Sequence, residues 1–535
     1  MIQVSLNRQC FQYDVHSLVR AFYPGEEVRV DCVGTECDGT DSLSTDGELF
    51  FLRVVFKRNR EAAEGFALDV NAQENGASAV SGTDEMNRQS WIRIDLCVNA
   101  EEKLHMESFC CEEDRHETKN ELKRLLYRLL SDYSGKTLPW GNLTGIRPTK
   151  IPMALLNQGW KNSAIADYMR KTYYTSNEKT ALAIAIANRE RYLLEKLGLN
   201  QEAAGRCAAD TDPFWNGYSL YIGIPFCPSI CLYCSFSSSP LALWKNQVDA
   251  YLDHLLHEME QVAKLLPGRG PDTVYIGGGT PTTLEPEQME RLLSKIETCF
   301  DLSHTQEFTV EAGRPDSISR EKLAVLKRHG ITRISINPQT MNQETLDFIG
   351  RKHTVEETKE AFFLARELGF DNINMDLIVG LPGEGAPEVE HTMQVLSGMA
   401  PDSITVHSLA VKRAARLRLF REEHKELTFE NSSAIMDMTA AYTQKAGLHP
   451  YYLYRQKNMA GNFENVGYAR EGCEGLYNIL IMEEIQTILA LGAGASTKLV
   501  LPGNRIRRIE NVKDIKNYME RIDEMIERKR AGLYE

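Results

Sequence analysis

From residue 218 onward the chain alternates short apolar runs with long amphipathic ones, and this alternation constrains the fold more than any other feature. SLYIGI (219–224), TVYIGG (273–278), EFTVEA (307–312), RISINP (333–338), NINMDLI (372–378) and SITVHS (403–408) read as strands. Helix-length segments separate them. Strands that alternate with helices build a parallel sheet with right-handed crossovers. Six such units make an α/β fold of the partial (β/α)6 barrel type, in which chemistry belongs at the C-terminal strand ends.

The flanks differ in pattern. EEVRVDC (26–32), LFFLRVVFK (49–57) and WIRIDLCV (91–98) read as strands, and 116–135 as a helix ended by a glycine. Residues 71–90 are polar and read as a loop. The expected organisation is an N-terminal α/β domain over 1–140 and a helical linker region over 141–217. The barrel follows over 218–430, then an α/β extension over 431–535 that covers substrate. LALGAGAS (489–496) reads as a close-packed turn.

With 61 Lys and Arg against 75 Asp and Glu, the net charge is −14. No excess of cations exists to displace counterions from phosphates, so no general nucleic-acid binding is expected. No run of about 18 apolar residues suggests a membrane span, and the N-terminus lacks the order of a signal peptide, so a cytoplasmic location is expected. Of 12 cysteines, three cluster tightly. In a reducing compartment such a cluster reads as metal binding or catalysis.

That cluster is C-x3-C-x2-C, Cys227, Cys231 and Cys234 in YIGIPFCPSICLYCSF (221–236), directly after the first barrel strand. Cubane iron–sulfur clusters are held by thiolates, normally one per iron. Three thiolates leave one iron open to a ligand, and S-adenosylmethionine (SAM) can fill that position through its amino and carboxylate groups. Structural zinc prefers four ligands, and no fourth Cys or His lies close by in sequence.

The loop resembles that of radical SAM enzymes, and the wider segment is similar to the oxygen-independent coproporphyrinogen III oxidase family. The family's Y-x-H-x-P-F-C stands here as Tyr221 through Cys227, with Gly223 in place of the histidine. LPWGNLTGIRPTK (138–150) and NMAGNFENVGYA (458–469) point to the HemZ branch, which is related to HemN and HemW. HemN carries a further cysteine two residues after the third ligand, where this chain has Phe236.

The resemblance implies a [4Fe–4S] cluster on the three cysteines and SAM as the second cofactor. It places Gly278, Gly279 and Thr280 of IGGGTPT against the methionine part of SAM. Glu311 would hold the ribose or the charged end, Gln339 would contact SAM, Arg351 its carboxylate and Asp376 its ribose hydroxyls. Tyr221 would line the cluster side of the cavity. The implied reaction is oxidative decarboxylation of two coproporphyrinogen III propionates to vinyl groups, or else haem binding and delivery as in HemW, or radical chemistry on another tetrapyrrole. The implied partners are a tetrapyrrole and a low-potential donor such as flavodoxin or ferredoxin. Candidate cations for the propionates are Arg147, Lys150, Lys412, Arg413, Arg455 and Lys457. A second metal or haem site at His105, Cys110, Cys111 and His116 is disfavoured, since adjacent cysteines share one metal awkwardly.

Overall fold

The computed structural model describes residues 1–32, 50–58, 90–110, 113–145, 147–199, 212–236, 238–266, 268–410, 417, 431–456, 463–503 and 505–534. The chain divides into two compact units, Met1–Gly145 with Gly159–Leu182, and Ile146–Gln158 with Ala183–Glu535.

The first unit is built on a five-stranded sheet of order β2-β1-β3-β4-β5. Its strands are β1 (Ile2–Leu6), β2 (Val28–Cys32), β3 (Phe50–Arg58), β4 (Ser90–Val98) and β5 (Glu101–Cys110). β1 pairs in parallel with β2 and β3, and the other pairings are antiparallel. Alternate residues of β1, β3 and β4 are buried, among them Val4, Leu52, Val54, Ile92 and Ile94. They meet Val15, Leu18 and Phe22 of the helix Gln12–Phe22 and the leucines of Arg115–Ser134. Asp114 caps the second helix by accepting from the amides of His116 and Glu117, and Gly135 ends it at φ 68°. The sequence reading lacked β1 and β5. β5 is an edge strand studded with Glu and Lys, a composition that blocks pairing with other chains and hides the strand from hydrophobic periodicity.

The second unit carries β6 (Tyr218–Ile224), β7 (Phe226–Cys227), β8 (Ser239–Pro240), β9 (Thr273–Gly278), β10 (Glu307–Glu311), β11 (Arg333–Ser335), β12 (Ile373–Val379) and β13 (Ser403–Ser408). β6, β9, β10, β11, β12 and β13 lie side by side in that order, and each neighbouring pair is parallel. The helices Val248–Ala263, Pro286–Cys299, Arg320–Arg328, Val355–Glu367 and Ala386–Met399 fall between successive strands. This is the partial (β/α)6 arrangement of an α/β fold. Burial on both faces explains the near-continuous apolar runs of β6 and β12.

Residues after 431 extend the sheet at both flanks. β14 (His449–Tyr454) and β15 (Asn465–Ala469) continue it antiparallel beyond β13. β16 (Thr487–Leu491) runs parallel to β6, followed by antiparallel β17 (Ser496–Leu501) and β18 (Arg505–Glu510). LALGAGAS is therefore the end of a central strand plus its turn. Gly492 sits at φ 99°, and a Cβ there would lie 2.5 Å from the Gly223 carbonyl oxygen, so only glycine lets β16 approach β6 this closely. A fully buried carboxylate supports the turn. Glu258 accepts from Gly492 N (2.8 Å), Tyr518 Oη (2.6 Å), Asn511 Nδ2 (2.8 Å) and Lys529 Nζ (2.7 Å).

Candidate functional site

The C-terminal ends of β6 and β9–β12 carry the residues singled out from sequence. β6 leads through Pro225 into β7 and the three-cysteine loop. Cys231 is buried, Cys227 and Cys234 are half-buried, and none of them forms a disulfide. The loop is clamped on one side by Leu232 N donating to Ile349 O (3.0 Å) and Ser229 Oγ to Gly350 O (3.1 Å). Thr280 Oγ1 donates to Cys227 Sγ at 3.6 Å, and Arg314 Nη1 to Cys231 Sγ at 3.7 Å. Burial pushes the Cys227 and Cys234 thiols up, and the hydroxyls of Thr280 and Ser238 act in the opposite sense on Cys227. A metal ligand must be a thiolate, so donors of this kind favour loading.

The glycine turn lies against the same loop. Gly279 N donates to Ile224 O and Thr280 N to Phe226 O, both at 2.7 Å. A Cβ on Gly279 would fall 2.5 Å from Phe226 O, and Gly278 takes φ 108°. Tyr221 stands in register with Tyr275, so the repeated Y-I-G of β6 and β9 stacks two rings at 6.2 Å. Tyr477, at the start of the helix Leu476–Glu483, stacks on Tyr275 at 4.4 Å.

Glu311 closes this wall. A Cβ on Gly277 would meet its carboxyl carbon at 3.0 Å, and Tyr275 Oη donates to it at 2.5 Å. Burial raises the Glu311 carboxyl to about 7, against the Tyr275 hydrogen bond and with help from the charge of Asp376. Asp376 behaves oppositely. Burial raises it, but His407, Asn374 and Thr405 more than compensate and hold it below the usual carboxylate range. His407 Nε2 lies 3.7 Å from Asp376 Oδ2, and Asn374 Nδ2 donates to Asp376 Oδ1 at 2.7 Å.

Gln339 takes φ 70°, a left-handed conformation unusual for a residue with a side chain. Its backbone is pinned to β12 by bonds to Asp376 O (2.9 Å) and from Ile378 N (2.8 Å). Its side-chain Oε1 is buried with no hydrogen-bond partner. A strained residue with an orphaned acceptor among strand ends is a mark of ligand binding. Arg351, 6% exposed, donates to Tyr233 Oη (3.2 and 3.1 Å) and to Asn337 O (2.5 Å), which places it beside the cysteine loop.

The donor chemistry fits a three-thiolate cubane with SAM beside it. Thiols, a guanidinium, a glycine cradle, an orphaned amide oxygen and two carboxyls shifted in opposite directions occupy one pole of the sheet. Among the described residues no three His, Cys, Asp or Glu are already drawn to metal-ligand spacing. The fit therefore rests on chemistry and placement.

Sequence reasoning missed Arg314, Tyr275, Tyr477 and His407. Aligning the two Y-I-G strands in register finds Tyr275, but nothing local announces the other three. Of the candidate propionate cations, Arg147 is committed to an ion pair with Glu484 at 2.5 Å, and Arg455 is buried. Lys412, Arg413 and Lys457 lie outside the described residues, as do the loop at 71–89 and Cys111.

Comparison with known proteins agrees with this chemistry. Residues 221–396 match the radical SAM superfamily, whose cofactors are a [4Fe–4S] cluster and SAM. Over 417 residues the chain is 41% identical to the oxygen-independent coproporphyrinogen-III oxidase-like protein HemZ of Bacillus subtilis (strain 168), covering 77% of this chain and 80% of that protein. It is 33% identical to the heme chaperone HemW of the same organism over 57% of this chain and 76% of HemW. A solved structure of coproporphyrinogen III oxidase (HemN) from Escherichia coli, described as a radical SAM enzyme, superimposes with a TM-score of 0.48 at 24% identity, over 61% of this chain and 72% of that one. The chain belongs to the radical SAM family of HemZ-type, oxygen-independent coproporphyrinogen-III oxidase-like proteins.

Proposed function

We propose that this protein oxidatively decarboxylates propionate side chains of coproporphyrinogen III to vinyl groups without oxygen, giving protoporphyrinogen IX in the cytoplasm. The observation that carries the reading is the thiol, glycine, Glu311, Gln339 and Asp376 constellation at one sheet pole of a chain 41% identical to an oxidase-like HemZ. Each conversion removes one hydrogen atom from the propionate β-carbon, releases CO2 and passes one electron to an external one-electron acceptor. When bound, the cluster and SAM supply the one-electron chemistry that abstracts the hydrogen atom.

The chain's own residues position and shield. Cys227, Cys231 and Cys234 would hold the cluster. Gly278, Gly279 and Thr280 would bring backbone close to the methionine part of SAM, and Arg351, beside the loop, would pair with its carboxylate. Asp376, held below the usual carboxylate range against burial by His407, Asn374 and Thr405, would accept from ribose hydroxyls. Glu311 holds or releases a proton near neutrality, and Gln339 offers its unpaired oxygen. The stacked rings of Tyr221, Tyr275 and Tyr477 form a dry wall that excludes water from a reactive centre. The reductant would be a low-potential flavodoxin or ferredoxin.

The similarity to HemW favours a second reading, haem binding and delivery. Anaerobic incubation of the iron-loaded full chain with SAM, reductant and coproporphyrinogen III separates the possibilities. CO2 and protoporphyrinogen IX support the oxidase. Stoichiometric haem binding without turnover supports the chaperone. SAM cleavage with coproporphyrinogen III unchanged moves the reaction to another tetrapyrrole.

A further inference from the structure

Arg314 reaches a sulfur of the cysteine loop, Cys231 Sγ, through its guanidinium, and the Arg351 guanidinium faces the same sulfur. It follows β10 by three residues, and its side chain is 4% exposed. Asp316 grips it from one side through two bonds, Nε to Oδ1 at 2.9 Å and Nη2 to Oδ2 at 2.7 Å. Its own carbonyl accepts from Ser317 Oγ at 2.7 Å, and Ser317 Oγ meets Thr282 Oγ1 at 2.6 Å. The fork is thus fixed at its base. Only Nη1 points away from Asp316, and it reaches Ser229 O (3.4 Å), Ser229 Oγ (3.2 Å) and Cys231 Sγ (3.7 Å).

A structural ion pair has no need of this third direction. Arg314 and Asp316 already satisfy each other in a planar two-bond contact. Of the N–H groups left, those on Nη1 go to Ser229 and to a thiol of the cysteine loop. A cluster held by three thiolates carries net negative charge and gains one more negative charge on one-electron reduction. Cations and N–H···S bonds at its sulfurs stabilise the reduced state and raise the reduction potential.

We propose that Arg314 is a positioning residue that sets the potential of the cluster, with its Nη1–H on the Cys231 sulfur favouring the reduced form and Asp316 moderating that charge. The inference rests on the cluster reading above and adds to it a device that governs how readily the reducing electron is accepted. Asp316 works against the cation it holds, so the two residues should move the potential in opposite directions. A scaffold role predicts no such opposition.

The test is an anaerobic redox titration of the reconstituted full chain, followed by electron paramagnetic resonance of the reduced cluster, with iron and sulfide measured on each sample. No turnover is needed. Arg314→Gln is expected to lower the midpoint enough that the reduced-to-oxidised ratio at a fixed potential falls at least tenfold, about 59 mV for one electron. Arg314→Lys is expected to fall between the variant and the parent, because it keeps charge without the fork. Asp316→Asn is expected to raise the midpoint. If Arg314→Gln takes up less iron than the parent, the Lys and Asp316→Asn variants decide. Midpoints equal to the parent's, or moved in the same direction by Arg314→Gln and Asp316→Asn, overturn the proposal while leaving the cluster reading intact. A parent chain that binds no cubane overturns both.

Discussion

Replacing Lys529 by Met tests the buried support beneath the site. Lys529 and Glu258 are both 0% exposed, and their ion pair measures 2.7 Å. Glu258 also accepts from Tyr518, Asn511 and the Gly492 amide. Burial alone would raise its carboxyl, but Lys529, Tyr518 and Asn511 hold it below the usual range. A depressed carboxylate stabilises the fold above its unfolded value, and that contribution is lost as pH falls through the lower folded value. The window in the parent therefore lies in acid, below about 4.5. Removing the lysine leaves a buried charge without its partner, at a cost of about 3–5 kcal/mol. At 1.36 kcal/mol per tenfold, that accelerates exchange of the Gly492 amide by roughly 10²–10⁴. Hydrogen exchange at pH 7, resolved over β16 and β17, reads this directly. The deficit should shrink on lowering the pH to 5, as Glu258 takes up a proton instead of remaining ionised. The double variant Glu258→Gln with Lys529→Met should recover part of the loss, because neutral partners remain for the amide. Parent-like exchange in Lys529→Met at pH 7 would refute the reasoning.

Three further outcomes are expected. SAM affinity, measured by calorimetry from pH 6 to 8.5, should rise through about 7 as Glu311 ionises, and Tyr275→Phe should move that midpoint upward by removing the bond that opposes burial; a flat profile would argue against a carboxylate contact. Gly279→Ala puts a Cβ 2.5 Å from backbone oxygen Phe226 O, so it should cost roughly 1–3 kcal/mol and lower SAM binding, seen in thermal melts and dialysis. Gln339→Gly should leave stability equal or up to about 1 kcal/mol higher, by relieving left-handed strain, yet weaken SAM binding at least tenfold. Gln339→Ala keeps the strain and should show only the binding loss.

The parallel strands were legible because burial on both faces writes itself as unbroken apolar runs, and β6, β9 and β13 stand within a residue of their expected bounds. β11 ends at Ser335, short of the expected 338, because the chain leaves the sheet to place Gln339 at positive φ. No local pattern encodes that exit. Motif residues were legible for a different reason: cysteine spacing and consecutive glycines are local chemistry. Arg314 and His407 were not, since their meaning lies wholly in partners 83 and 31 positions away, Cys231 and Asp376. The end of β16 was read as part of a turn because the glycines that follow it, Gly492 and Gly494, punctuate louder than its four apolar residues, and a strand that completes a sheet from the far end of the chain has no neighbour in sequence to announce it.

That late strand has a consequence for biogenesis. Ser219 of β6 and Gln486 beside β16 are hydrogen-bonded at 2.8 Å although 267 residues separate them. During synthesis, at about 5–20 residues per second, β6 therefore stays bare along one margin for many seconds after the cysteines have left the ribosome. Iron delivered in that interval would meet a loop whose supporting strand is unflanked and open to pairing with other chains. A nascent chain stalled before Thr487 should aggregate and load poorly, and release of the complete polypeptide becomes the natural checkpoint for metal insertion.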